Sequence, residues 1–149
     1  HSELLLDFAE HCGFTRKSII DAELNGELLP ETLGLQGWCY RQSRRPFVEA
    51  IAAILVGLES QVPVVYSKTT PPLIEKYGFT EEEVTFFRLH IVADVEHGNK
   101  GFEIVEQYAT TPQQRETCLM LVRQAGLMRR LYLDGLYRKY LTDAMPKAA

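Results

Sequence analysis

Cysteine is scarce in this sequence and follows no pattern. There are three, Cys12, Cys39 and Cys118, an odd number in no C-x-x-C arrangement. That excludes a disulfide framework and leaves reduced thiols, expected as core filler and not as ligands or nucleophiles. A basic block is missing too. Arg44-Arg45 and Arg129-Arg130 are only pairs in a chain of net charge −4, so nucleic acid is not an expected partner. No uninterrupted apolar run approaches 18 residues and no signal peptide heads the chain, which makes a soluble cytoplasmic protein, not bound to membrane, the expectation. Internal repeats, low-complexity segments and strand-type alternation are also lacking. Every apolar run lies within helical periodicity, and the fold class is therefore read as all-α.

What is present is a chain of 149 residues, 46% hydrophobic and 24% charged. That is one helical domain, 1–149, with enough apolar surface for its own core. Ser2 to Cys12 predicts a helix stopped by Gly13, a residue suited to the left-handed C′ position. Thr15 caps a short helix to about Ala22, and Asn25-Gly26 marks a turn. Pro30 opens a helix to about Ser43, with Leu33, Trp38 and Cys39 available for burial. Arg45 to Ser60 follows, with small residues at Ala50, Ala52, Ala53 and Gly57 that would let a neighbour come close. Val64 to Tyr77 is expected to break at Thr69-Thr70-Pro71-Pro72, with Thr70 as a fresh N-cap and Pro71 at N1. Gly78 ends that segment. Thr80-Glu-Glu-Glu83 is a capping box that launches Phe86 to Tyr108, and Thr111-Pro-Gln-Gln114 repeats the device for Pro112 to about Leu141. The last helix should bury Leu121, Leu131 and Leu136, and the tail after Thr142 is expected to be loose.

The most informative stretch is His90-Ile-Val-Ala-Asp94-Val-Glu-His97. At about 100° per residue, positions i, i+4 and i+7 share one helix face. That face also carries Phe86, Phe87, Ala93, Gly101, Ile104 and Tyr108, so two imidazoles and a carboxylate sit in the stripe expected to be buried. A buried carboxylate is costly unless it is paired or binds a cation. Asp-x-x-His is also close to the Glu-x-x-His unit that helical bundles project inward to hold two metal ions. A non-haem metal site is the favoured reading. A hydrogen-bonded core network, or a face turned to water, is the competing one. Glu59 alone reads as an exposed carboxylate at the end of an apolar segment, and gains weight only beside the later histidines.

Taken together, Gly57-Leu-Glu59-Ser-Gln-Val-Pro63, Glu75-Lys-Tyr-Gly-Phe79 and His90-x-x-x-Asp94-Val-Glu-His97 resemble the haem-oxygenase-like diiron oxidases and oxygenases. The resemblance runs from His1 to about Tyr108 and is most specific from Glu59 to His97. It implies a haem-oxygenase-like helical bundle of which this chain is the C-terminal two-thirds, without the N-terminal helices. In that family the first half of the site is Glu-x6-His. His1 matches the histidine, and the partner Glu is expected seven residues upstream of it. The implied ligand set is His1, Glu59, His90, Asp94 and His97 with that Glu, holding two Fe(II) ions, manganese being an alternative at one. The implied activity is dioxygen-dependent oxidation of a small organic substrate: N-oxygenation, oxidative C–C cleavage or desaturation.

A homodimer is the expected assembly, as the commonest one. Tyr66, Arg88 and Tyr108 are placed to orient the imidazoles. Two departures stand out. The para-aminobenzoate-forming members carry a tyrosine where Leu58 stands, and Lys68 is one position out of register with their reactive lysine. Asp94-Val-Glu-His97-Gly98 also resembles the pyrroloquinoline-quinone synthase C branch, which oxidises without metal. That branch, a thiaminase-II-like hydrolase using a cysteine, and a non-enzymatic helical interaction protein are the other readings.

Overall fold

A computed structural model describes residues 1–141, where helices joined by short turns are the regular elements and no strand occurs among the described residues. The order is α1 (Ser2–His11), α2 (Arg16–Leu24), α3 (Pro30–Gln42), α4 (Phe47–Ile51), a π-helical turn (Ala52–Val56), a 3₁₀ turn (Glu59–Gln61), α5 (Val62–Tyr77), α6 (Thr85–Tyr108) and α7 (Pro112–Tyr140). The expected loose tail lies outside the described residues. The chain divides into two compact units, His1–Glu27 with Glu59–Lys100, and Leu28–Leu58 with Gly101–Ala149.

Local chemistry sets the helix ends. Thr15 and Thr111 each accept the backbone N–H of the residue three ahead, and the side chain of that residue, Ser18 or Gln114, accepts theirs in return. Glu83 Oε2 accepts the Thr80 N–H at 2.7 Å, closing the box ahead of α6. Gly13, Gly26 and Gly78 take positive φ at the three turns. At Gly78, Phe79 N–H donates to the Leu73 carbonyl at 3.2 Å, which satisfies an orphan acceptor of α5.

In the first unit, Arg16 on α2 reaches Glu3, Asp7 and Glu10 on α1. The rings of Phe8, Phe79, Phe87 and Tyr66 then interlock at centroid separations of 4.8–5.1 Å. The expected break at Thr70 does not occur. Helix α5 runs through Pro71 and Pro72. The carbonyls that lose their N–H partners belong to Ser67 and Lys68, both exposed to water that can satisfy them. Thr70 is instead fully buried, and its hydroxyl has no hydrogen-bond partner among the described residues.

The second unit packs α3, α4 and the π-helical turn against α7. Its core is small-residue and aliphatic: Val48, Ala52, Ala109 and Cys118, with Val105 and Val122 against them. Arg45 to Ser60 is not the single α-helix expected. Gly57 N–H donates to the Ala52 carbonyl at 2.9 Å, one residue farther back than an α-helix takes it. A Cβ on Gly57 would stand 2.4 Å from the Ala53 carbonyl oxygen and 2.6 Å from Ala125 Cβ. Gly57→Ala should therefore destabilise the protein by about 1–3 kcal/mol through overpacking. A chemical-denaturation midpoint unchanged from wild type would show that the turn relaxes freely.

Several burial expectations need correcting. On α7 the buried residues are Cys118, Leu121, Ala125 and Gly135. Leu131 lies off that stripe and is exposed, while Leu136 is half-buried. Leu33, Tyr108 and Cys12 are exposed as well, so Cys12 is not core filler. Gln42, a polar residue with no apolar signal, is buried and accepts from Arg45 Nε at 2.5 Å. Counting uninterrupted apolar residues also missed one segment, because Glu49 and Glu59 divide it. Phe47–Tyr77 is long and apolar enough to cross a membrane by length and composition. Core helices pass the same test, and Ala52, Ala53, Val56 and Val62 within it are buried by the protein itself.

Candidate metal centre

All five residues singled out from the sequence fall in the first unit. Helix α6 presents His90, Asp94 and His97 from successive turns, and Glu59 opens the 3₁₀ turn. His97 Nδ1 stands 3.1 Å from Asp94 Oδ1 and 3.2 Å from Glu59 Oε2. One ligand atom from each of these three residues lies within 4.8 Å of the others, the dimensions of a site for a single cation. Asp94 is 3% exposed, His97 and Glu59 more so. Burial pushes the Glu59 carboxyl above its ordinary range and the Asp94 charge adds to this, against the opposing pull of His97 and His90. Two carboxylates held this close are a strain on the protein that a cation would relieve.

His90 and His1 form a second pair of donors. His90 Nε2 is 3.1 Å from His1 Nδ1, with the rings edge to face at 4.6 Å. On its other side, His90 Nδ1–H donates to the Phe86 carbonyl at 2.6 Å. A carbonyl only accepts, so Nδ1 carries the proton and Nε2 presents its lone pair when the ring is neutral. Metal-binding histidines are commonly fixed in this way. Phe86 at 4.2 Å and Tyr66 at 6.4 Å flank the same imidazole with their rings.

Two of the three residues expected to orient the imidazoles do something else. Arg88 makes two hydrogen bonds to Glu81, at 2.8 and 2.9 Å, and Tyr108 packs against Phe47. The Phe86 carbonyl, missed in the sequence, has a findable signal: it lies four residues before His90, the reach of a helical side chain back along its own face. His11, the fourth histidine, pairs with Glu83 at 3.0 Å. Burial pushes up the thiols of Cys39 and Cys118, and none of the three cysteines joins the three-residue cluster. A thiolate nucleophile of the thiaminase kind therefore has no support here.

Carboxylates combined with imidazoles, without thiolate, suit iron or manganese. The comparisons agree with that chemistry. The chain is 30% identical over 148 residues to the 4-aminobenzoate synthase of Nitrosomonas europaea, covering 96% of this chain and 57% of the relative. It is 26% identical over 125 residues to the pyrroloquinoline-quinone synthase of Bradyrhizobium sp. (strain ORS 278), covering 82% of this chain and 47% of the relative. The chain thus spans about half the length of the curated relatives it matches. No solved structure gives a significant match. Residues 1–130 match the family described as iron-containing redox enzyme, which has the haem-oxygenase-like all-α fold, and the chain belongs to that family.

Proposed function

We infer that this chain is part of a non-haem iron oxidase or oxygenase that uses dioxygen to oxidise a small organic substrate. The observation that carries this is the buried Asp94 carboxylate, set with Glu59 around one imidazole nitrogen of His97. Glu59, Asp94 and His97 would hold one ferrous ion. His1 and His90 would contribute to a second, with manganese as the alternative metal at one position. When bound, iron supplies the one-electron chemistry that amino-acid side chains lack.

The protein's own groups do the rest. The Phe86 carbonyl fixes the His90 tautomer, leaving Nε2 as a donor atom. Asp94 holds the His97 ring in place from the preceding turn. The rings of Phe86 and Tyr66 keep water from the His90 side. Glu59, half-buried and on a short turn, is the carboxylate best able to change position. The substrate reaction is read as N-oxygenation, oxidative C–C cleavage or desaturation. We place the enzyme in the cytoplasm as a homodimer, without nucleic-acid or membrane partners, and read Phe47–Tyr77 as a core segment.

A second reading has one observation in its favour. The direct Asp94–His97 contact at 3.1 Å could serve as a proton-transfer pair in a cofactor-free oxidase. Anaerobic titration with ferrous iron, followed by Mössbauer spectroscopy and then by dioxygen uptake, separates the two. The iron reading expects saturable binding and dioxygen consumption that depends on bound iron. Dioxygen consumption by iron-free protein at the same rate would favour the cofactor-free reading.

A further inference from the structure

A close approach between the two elements that carry the carboxylates falls one residue beyond a ligand on each. Ser60 follows Glu59, and Gly98 follows His97. A Cβ placed on Gly98 would stand 3.1 Å from Ser60 Cβ and 3.2 Å from Ser60 Cα, tighter than ordinary van der Waals contact. Gly98 is buried inside α6, and its φ lies outside the left-handed region. Backbone conformation therefore does not call for glycine at this position. Glycine is also a poorer helix former than alanine. What remains is proximity. Gly98 differs in this from two other helical glycines of the chain: Gly37 on α3 and Gly126 on α7 have nothing within 4 Å of the missing side chain.

We propose that Gly98 is a positioning residue, whose missing side chain lets the Glu59–Gln61 turn sit against α6 closely enough to bring the Glu59 carboxylate to His97 and Asp94. Its bearing on iron rests on the metal reading above, but the geometry it sets does not. The close contact acts at the Ser60 backbone, one residue from the Glu59 side chain. A displacement of a few tenths of an ångström there passes directly to the carboxylate. Constellations of this kind tolerate errors of only about 0.5 Å.

Four variants test the proposal: Gly98→Ala, Ser60→Gly, the two combined, and Gly126→Ala as a helical glycine with open space around it. Each is read by an iron-free crystal structure, a thermal melt and an anaerobic ferrous binding isotherm. Gly98→Ala is expected to keep a cooperative melt, because alanine favours the helix. It should open the Glu59 Oε2–His97 Nδ1 separation beyond the 3.2 Å of the native chain. Ferrous affinity should fall about 10-fold, the scale of outer-shell changes at metal sites. The double variant should recover part of the loss relative to Ser60→Gly alone, since removing the Ser60 side chain relieves the 3.1 Å contact and leaves Ser60 Cα at 3.2 Å, and Gly126→Ala should match wild type.

A separation unchanged in Gly98→Ala would overturn the proposal. So would a loss of affinity that Ser60→Gly does not lessen at all, or a Gly98→Ala protein that no longer folds, since either would make the contact one of general packing. If the wild-type chain takes up no iron, the metal reading fails. The iron-free separations alone then decide the role of Gly98.

Discussion

Asp94→Ala abolishes ferrous uptake at the Glu59–Asp94–His97 cluster and leaves the helical circular dichroism at its wild-type level. Both halves of that result follow from where Asp94 sits. Its carboxylate is 3% exposed and lies against His97 Nδ1. Removing it takes away one of the three side chains that, among the described residues, converge there. Loss of an outer-shell partner costs about 10- to 100-fold in metal affinity, and loss of a direct ligand should exceed that range. Helix α6 has 24 residues and a capping box ahead of it, and alanine is the best helix former, so secondary structure survives. His97→Ala should behave alike. A thermal melt gives a second readout. Iron at 100 times its dissociation constant stabilises the wild-type fold by about 2.7 kcal/mol, and neither variant should show that rise. Iron binding unchanged in either variant would return Asp94 and His97 to a hydrogen-bonded core pair.

Glu59→Gln has effects of opposite sign in the iron-free and iron-loaded protein. Burial, reinforced by the Asp94 charge, raises the Glu59 carboxyl above its unfolded value. The folded state therefore favours the protonated form. Its contribution to stability is fully present below the unfolded pKa and is lost as pH rises through the folded one. At neutral pH the fold therefore works against the ionised form of Glu59 that the unfolded chain carries. Glutamine removes that burden, so the iron-free variant should melt higher than wild type at pH 7. The difference should vanish as pH falls below the ordinary carboxylate range. With ferrous iron the order reverses, because a neutral amide is a poor ligand, and affinity should drop by more than about 100-fold. Matched melts at acidic and neutral pH, with and without iron, check all of this. An iron-free Glu59→Gln protein less stable than wild type at pH 7 would mean that Glu59 is held by pairing and not strained by crowding.

The helices were legible where side chains speak to the backbone locally. Thr15, Thr80 and Thr111 each announce a helix start by what lies three residues on, and Gly13 and Gly78 announce stops. What failed depended on distant partners. Pro71 and Pro72 read as a break because a local rule forbids them, yet the affected carbonyls face water and the helix continues. The π-helical turn needed Ala125, far along the chain, to explain why Gly57 has no room for a side chain. Leu131 and Leu33 are apolar but unburied, since periodicity alone does not fix which face is covered.

Part of the candidate site's geometry was legible for the same reason as the caps. His90, Asp94 and His97 share a face by helical arithmetic alone. Glu59 and His1 could be linked to them only through a resemblance, because 31 and 89 residues separate each from His90 along the sequence. The Phe86 carbonyl, a backbone group, is signalled by its position four residues before His90 and not by residue type.

Anomalous scattering at the iron edge, from crystals grown anaerobically with ferrous salt, addresses the central claim most directly. The account predicts a peak within bonding distance of Glu59, Asp94 and His97. Those three side chains ordered against one another or against water, with no anomalous peak among them, would contradict it.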